Sequence, residues 1–276
     1  MNSVTKTQST SRTRQRSLGL KTRKPGKGGR PRTWIFYGKN GTGKTTLFGS
    51  FPGRKLLINI RDDGDDSVSD IKNLEVVDIT CWQDFEDVYW YLYQNPSKFD
   101  CVAIDTITQL QQLTIEELMA GKKVHKKFAS KTLGDYGTMT KSDWGDVSSL
   151  LKTWITNYRN LNCQLVIIAQ ERTFNVDEDS VENELAPEVG PALSPSTKIH
   201  ACSAASVIGH MSIRRRIIKT RIKGRKREER QIEEFYLRLG PSDTYITKLR
   251  KPLSIITTGF LTNPTYEDIL ETIQGE

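Results

Sequence analysis

Residues 38–45 read GKNGTGKT, with Gly38, Gly43, Lys44 and Thr45 at the fixed positions of the pattern GxxxxGK[ST]. A loop of this kind needs a strand leading in and a helix leading out, so it constrains the fold more than any other feature of the chain. The flanks agree. Thr33-Trp34-Ile35-Phe36-Tyr37 is β-branched and aromatic and reads as a strand. Thr46-Leu47-Phe48 continues as a short helix. Gly38, Gly41 and Gly43 free the backbone to curl around an anion, including at positive φ. The N–H groups from Gly38 through Lys39, Asn40, Gly41, Thr42, Gly43, Lys44, Thr45 and Thr46 then point at phosphate oxygens, and the helix dipole adds to them. Lys44 reaches the β- and γ-phosphates and acts in catalysis, and the Thr45 hydroxyl is placed for Mg²⁺. The pattern arises by accident in about one chain in a hundred of this length, as a plain glycine-rich turn.

A triphosphate loop needs a second metal anchor at the end of a buried neighbouring strand. Residues 99–108 read FDCVAIDTIT, and the continuous apolar run Cys101–Ile104 suits a parallel strand covered on both faces. Asp105 ends it, at the edge where such sheets bind ligands, and is assigned to Mg²⁺; the alternative is an N-cap for a helix from Ile107. The next residue is Thr106, which cannot act as a base. The extended run Lys55–Ile60 ends in Arg61-Asp62-Asp63-Gly64-Asp65-Asp66, where Asp62 or Asp63 can polarise water, or the run can be a solvated acidic turn. A third strand, Leu165–Ala169, ends in Gln170, whose amide can sense the γ-phosphate or the attacking water. Before it, apolar residues at Val147, Leu150, Leu151, Trp154, Ile155 and Tyr158 make a helical stripe within 144–160. Alternating strands and helices give an α/β chain with a mostly parallel central sheet covered by helices.

Charge divides the chain. Its net charge is +8, yet residues 1–32 hold ten Lys or Arg and no acid. They are rich in Ser, Thr, Gly and Pro and read as a disordered basic arm. Such an arm can be a solvated tail, a holder of polyanions such as nucleic acid, or an Arg- and Ser-rich transit peptide that lacks the amphipathic face. A second basic stretch, IRRRIIKTRIKGRKREER at 213–230, reads as a hairpin turning near Lys223–Gly224. It is either an edge hairpin guarded by charge or a phosphate-backbone contact surface. The longest apolar run, Leu165–Ala169, is far too short to cross a membrane. Cys81, Cys101, Cys163 and Cys202 lie far apart with no ligand spacing, which argues against zinc and disulfides and fits a reducing cytoplasm.

Together the loop GKNGTGKT, the strand ending IDT, the segment DYGTMTKSDWGDVSSLL and the strand VIIAQER resemble the RecA-like P-loop ATPases of bacteriophages. The resemblance is strongest to the small single-strand-annealing recombinases and to relatives labelled phage nucleotide-binding or AAA ATPases, and it spans about residues 32–262. It implies a RecA-like core, ATP with Mg²⁺ as cofactors, assembly into a homo-oligomer and binding of single-stranded DNA. It also implies Lys44 and Thr45 at phosphate and metal, Asp105 at metal, the catalytic acid at Asp62 or Asp63 in place of the family's usual Glu, and the sensor at Gln170. By the same likeness Lys248 and Arg250, in the run YITKLR, reach a neighbouring subunit's nucleotide; the alternative is exposed strand charge. Of the two DNA-binding loops of this class, the one around Gly121–Ser142 is suitably basic. The one following Gln170 holds seven acids against Arg172 over 171–190 and would repel a phosphate backbone.

The expected layout is a basic arm at 1–31, a RecA-like ATPase domain with a C-terminal β-hairpin region at 32–262, and a C-terminal helix or tail at 263–276, with the helix near Tyr266–Thr272. The expected role is ATP-driven recombination or annealing on single-stranded DNA in the cytoplasm. A single-strand-binding protein is a further expected partner, and no membrane is involved. The rivals are a helicase loader or packaging ATPase, a small-molecule kinase with an arginine lid at Arg214–Arg216, and a scaffold that binds nucleotide without turning it over. Recognition of the base lies outside the P-loop.

Overall fold

The structure is a computed structural model that describes residues 31–61, 64–125, 139–174, 187–221 and 227–275. The expected arm lies outside the described residues except for Pro31, as does most of the basic loop around Gly121–Ser142 and of the acidic loop after Gln170.

In chain order the elements are β1 (Thr33–Gly38), α1 (Lys44–Gly49), β2 (Lys55–Ile60), a 3₁₀ turn (Gly64–Val68), β3 (Leu74–Ile79), α2 (Trp82–Gln94), β4 (Cys101–Asp105), α3 (Ile107–His125), α4 (Lys141–Arg159), β5 (Gln164–Phe174), β6 (Glu188–Pro191), α5 (Pro195–Ala204), β7 (Val207–Arg221), β8 (Arg227–Arg238), β9 (Lys248–Leu249), β10 (Phe260–Thr262) and α6 (Tyr266–Gln274). The strands form one sheet in the order β10-β8-β7-β1-β5-β4-β2-β3, with β6 on β5 and β9 on β7. From β7 to β3 every pairing is parallel; β6, β8, β9 and β10 join antiparallel.

The central strands are largely apolar because both faces are covered. Along β1, Ile35 and Tyr37 enter one core and Trp34 and Phe36 the other, as the two-residue period of a strand requires. The first core is closed by α2, α3, α4 and α5. The second is closed by α1, the 3₁₀ turn and α6. Thr140 and Asp143 form a capping box on α4, and Thr265 and Asp268 form one on α6, each satisfying N–H groups that would otherwise be orphaned at the helix start. The C-terminal helix expected near Tyr266–Thr272 is α6, and it is part of the second core through Ile269 and Ile273.

Three features differ from the sequence expectation. First, β4 is not the neighbour of β1: β5 lies between them. Second, β5 runs past Ala169 to Phe174, because its polar end pairs with β6 beyond the sheet edge. Third, the run Tyr245–Arg250 contributes only the two-residue strand β9. The basic hairpin is present and longer than expected, with Ile213 opposite Phe235 and Arg221 opposite Arg227. Among the described residues, no helix is long and apolar enough to cross a membrane.

Candidate functional site

At the C-terminal edge of β1 the chain turns through Gly38 and enters the loop. Gly41 and Gly43 adopt φ of 73° and 81°, left-handed backbone that a side chain resists and glycine accepts. The loop braces itself: Thr42 Oγ1 donates to the Lys39 carbonyl at 2.8 Å. Helix α1 starts at Lys44 behind Gly43, with no side-chain cap and no acid in its first turn, so its N-terminal N–H groups face the loop. Lys44 is buried, and its Nζ donates to the carbonyls of Lys39 at 2.7 Å and Gly38 at 3.2 Å. The ammonium is thereby held across the mouth of the loop.

The metal pair read from the sequence is brought together. Thr45 Oγ1 donates to Asp105 Oδ2 at 2.7 Å, although the two residues are 60 apart in sequence and β1, which leads into the loop, is not adjacent to β4. Asp105 ends β4 and is buried. The residue that caps α3 is Thr106, whose Oγ1 accepts from the Gln109 N–H at 3.2 Å. The N-cap reading of Asp105 therefore gives way: its neighbour Thr106 caps the helix, and the Asp105 carboxylate accepts from Thr45. Two hard oxygen ligands side by side at a sheet edge suit Mg²⁺ completed by water and phosphate oxygens.

A cavity of about 350 Å³ opens over this pair. It is lined by the loop from Asn40 to Thr46, by Asp105 and Thr106, and by two residues the sequence did not point to, Ser67 of the 3₁₀ turn and Phe235 of β8. No local motif marks either one. Each arrives by packing of a distant segment.

The remaining candidates fall in different places. Asp62 and Asp63 lie outside the described residues. Gln170 stands opposite Gly38 in the β1–β5 register, and its backbone N–H donates to Thr108 Oγ1 at 3.1 Å; it is beside the loop but does not line the cavity. Lys248 and Arg250 stand at the opposite edge of the sheet. Lys248 pairs with Ile208 near the start of β7, whereas Gly38 pairs with Met211 further along it. Lys248 Nζ donates to the carbonyls of Cys202 at 2.8 Å and Ser203 at 3.3 Å, closing the end of α5. The Arg250 N–H donates to the Ser206 carbonyl at 3.2 Å.

Next to the loop is a polar cluster around the buried His210 that the sequence did not point to. His210 Nε2 is 2.9 Å from Glu171 Oε2, and the imidazole stacks on Tyr245 with 4.2 Å between ring centres. Burial pushes the His210 imidazole below its usual value of 6.5, and the Glu171 carboxylate opposes that shift in part. The native state thus binds a proton here less readily than the unfolded chain. Full stability is present above the unfolded value and declines as pH falls through it. Urea unfolding is expected to show stability dropping as pH falls from 7 through 6.5, with His210→Gln weakening that dependence.

Residues 30–251 match the sequence model of a family described as an AAA domain, a span that takes in the loop, the Asp105 strand, β5 and the basic hairpin. No curated protein matches the chain.

Proposed function

The chain belongs to the AAA-domain family, and from that premise we propose that it is an ATPase of the phage RecA-like type, working as a homo-oligomer on single-stranded DNA in recombination or annealing. The observation that carries the nucleotide part is the contact between Thr45 and Asp105 beside the buried Lys44 ammonium. In this reading the loop N–H groups and Lys44 hold the β- and γ-phosphates, and Thr45 and Asp105 hold Mg²⁺, which neutralises charge on the phosphates when bound. A carboxylate at Asp62 or Asp63 orients water, since Thr106 is occupied in capping α3. Gln170, set against Gly38, carries the presence of the γ-phosphate into β5. In an oligomer Lys248 and Arg250, which do not line the cavity of their own chain, would serve a neighbour's site.

The DNA part is supported by one face of the β7–β8 hairpin. The Arg214 guanidinium lies 3.7 Å from the Tyr236 ring centre and that of Arg238 lies 4.3 Å from Phe260. Tyr236 and Phe260 stack with centres 5.1 Å apart. Arginines held on aromatic rings along one strip offer phosphate contacts, which suit a surface that holds a single strand without reading its sequence.

The test is ATP turnover with and without single-stranded DNA, alongside sedimentation of the same samples. Stimulation of hydrolysis with a shift to larger species is expected. DNA affinity should fall steeply with salt, with a log–log slope of about −0.7 per phosphate neutralised. Turnover indifferent to DNA would favour a loader or packaging ATPase, and a salt-independent affinity would remove DNA as the partner.

A further inference from the structure

We infer that Phe235 is the base-binding residue of the nucleotide site, supplying an aromatic face on which the nucleobase stacks. The inference deepens the proposed function and rests on it. Among the described residues lining the cavity, all but one are loop backbone, hydroxyls, amides, Lys44 or Asp105. The exception is Phe235. An aromatic ring presents a negative face and, unlike an N–H group or an ammonium, donates no hydrogen bond to a phosphate. It suits the flat, apolar part of a nucleotide, the part that the loop cannot recognise.

The ring is held where it is on purpose-built support. Its backbone N–H donates to Asn263 Oδ1 at 2.9 Å, and its carbonyl accepts from the Asn263 N–H at 2.7 Å. Asn263 itself sits at φ 46°, a left-handed conformation that asparagine tolerates better than most residues. One side of the ring rests on Gly43: a methyl group added there would meet ring carbons at 2.9, 3.0 and 3.1 Å. Gly43 therefore does two things. It supplies the left-handed corner of the loop, and its bare Cα lets the ring settle against the loop wall. Phe235 is only partly buried: it packs against the edge of the second core and also lines the cavity. Stacking registers flatness rather than the pattern of donors and acceptors, since every base has a π face. The site is thus expected to favour nucleotides over bare polyphosphate while separating ATP from GTP only weakly.

The experiment compares affinity for Mg²⁺–ATP with affinity for Mg²⁺–tripolyphosphate, by calorimetry on the full chain. Phe235→Ala is expected to weaken ATP about tenfold and to leave tripolyphosphate within about twofold. Phe235→Leu, which keeps an apolar side chain against Gly43, should show the same selective loss. Phe235→Trp should retain ATP affinity and report binding by a change in indole fluorescence. Equal loss of both ligands in the Ala and Leu variants would make the ring a mere prop for the loop and overturn the inference, as would ATP binding unchanged in both. If the wild-type chain bound neither ligand, the nucleotide reading itself would fall, an outcome distinct from a failure of Phe235 alone.

Discussion

Lys44→Ala is expected to abolish ATP hydrolysis and to weaken ATP binding by about a hundredfold or more. The expectation rests on where the ammonium is. Lys44 is buried, and its Nζ is fixed by the carbonyls of Gly38 and Lys39 at the head of the loop. Each hydrogen bond from a charged donor to phosphate contributes about 1.5–3 kcal/mol. A donor preorganised for charge that develops in the transition state contributes about 10²–10³ in turnover. Removing the side chain loses both contributions and leaves no other cation among the described residues that line the cavity. Lys44→Arg should fail nearly as badly, because a planar guanidinium cannot take the place of a compact ammonium seated between two carbonyls. Thermal melts separate this from misfolding. Both variants should melt as cooperatively as the wild type without nucleotide, and only the wild type should gain stability when Mg²⁺–ATP is added. Turnover at the wild-type rate in Lys44→Ala would overturn the assignment of the site.

What the sequence could show follows from how local each signal is. The loop and Asp105 were legible because each is a short motif attached to a continuous apolar strand, and β1, β2, β4 and the first half of β5 read plainly for the same reason. The strand order was not legible. Insertion of β5 between β1 and β4 is decided by pairing over long separations, and nothing in either strand announces its neighbour. Helix α2 has a proper stripe in Trp82, Phe85, Tyr89 and Leu92, but Trp90, Tyr91 and Tyr93 are exposed, so aromatic residues surround the helix and blur its period. Strand β3 is an edge strand with Glu75 and Val76 turned to solvent, which hides its alternation. The same logic governs the site. Phe235 meets Gly43 from almost 200 residues away, and Lys248 is placed by its register on β7 rather than by the charge that drew attention to it. Thr106 is a further case. Its failure to be a base was readable, whereas its use as the cap of α3 was a property of the backbone around it.

Gly38→Ala is expected to destabilise the fold itself, apart from any effect on nucleotide. Gly38 is the last residue of β1 and has partners on both sides, Gln170 on β5 and Met211 on β7. A methyl group placed on it would collide with the Met211 carbonyl oxygen and come within 3.1 Å of Thr42 Oγ1. The first of these is backbone in a central, doubly paired register, so it cannot swing aside as a side chain would. Relief requires β1 and β7 to part at the point where they position the loop. Overpacking of this kind costs about 1–3 kcal/mol, and at roughly 2–4 °C per kcal/mol for a chain of this size the melting temperature should fall by several degrees. Gly41→Ala is the matched control. Among the described residues a methyl group there meets nothing within 4 Å, so that its φ of 73° is what opposes the change, for about 1–2 kcal/mol. Without nucleotide, urea unfolding should therefore place Gly38→Ala below Gly41→Ala, and Gly38→Val lower still. Equal stability of the Gly38→Ala and wild-type chains would mean that β1 and β7 are not as close as they stand here. The order expected instead would show that the first glycine of the loop is required by sheet packing, whereas Gly41 is required only by its own left-handed backbone.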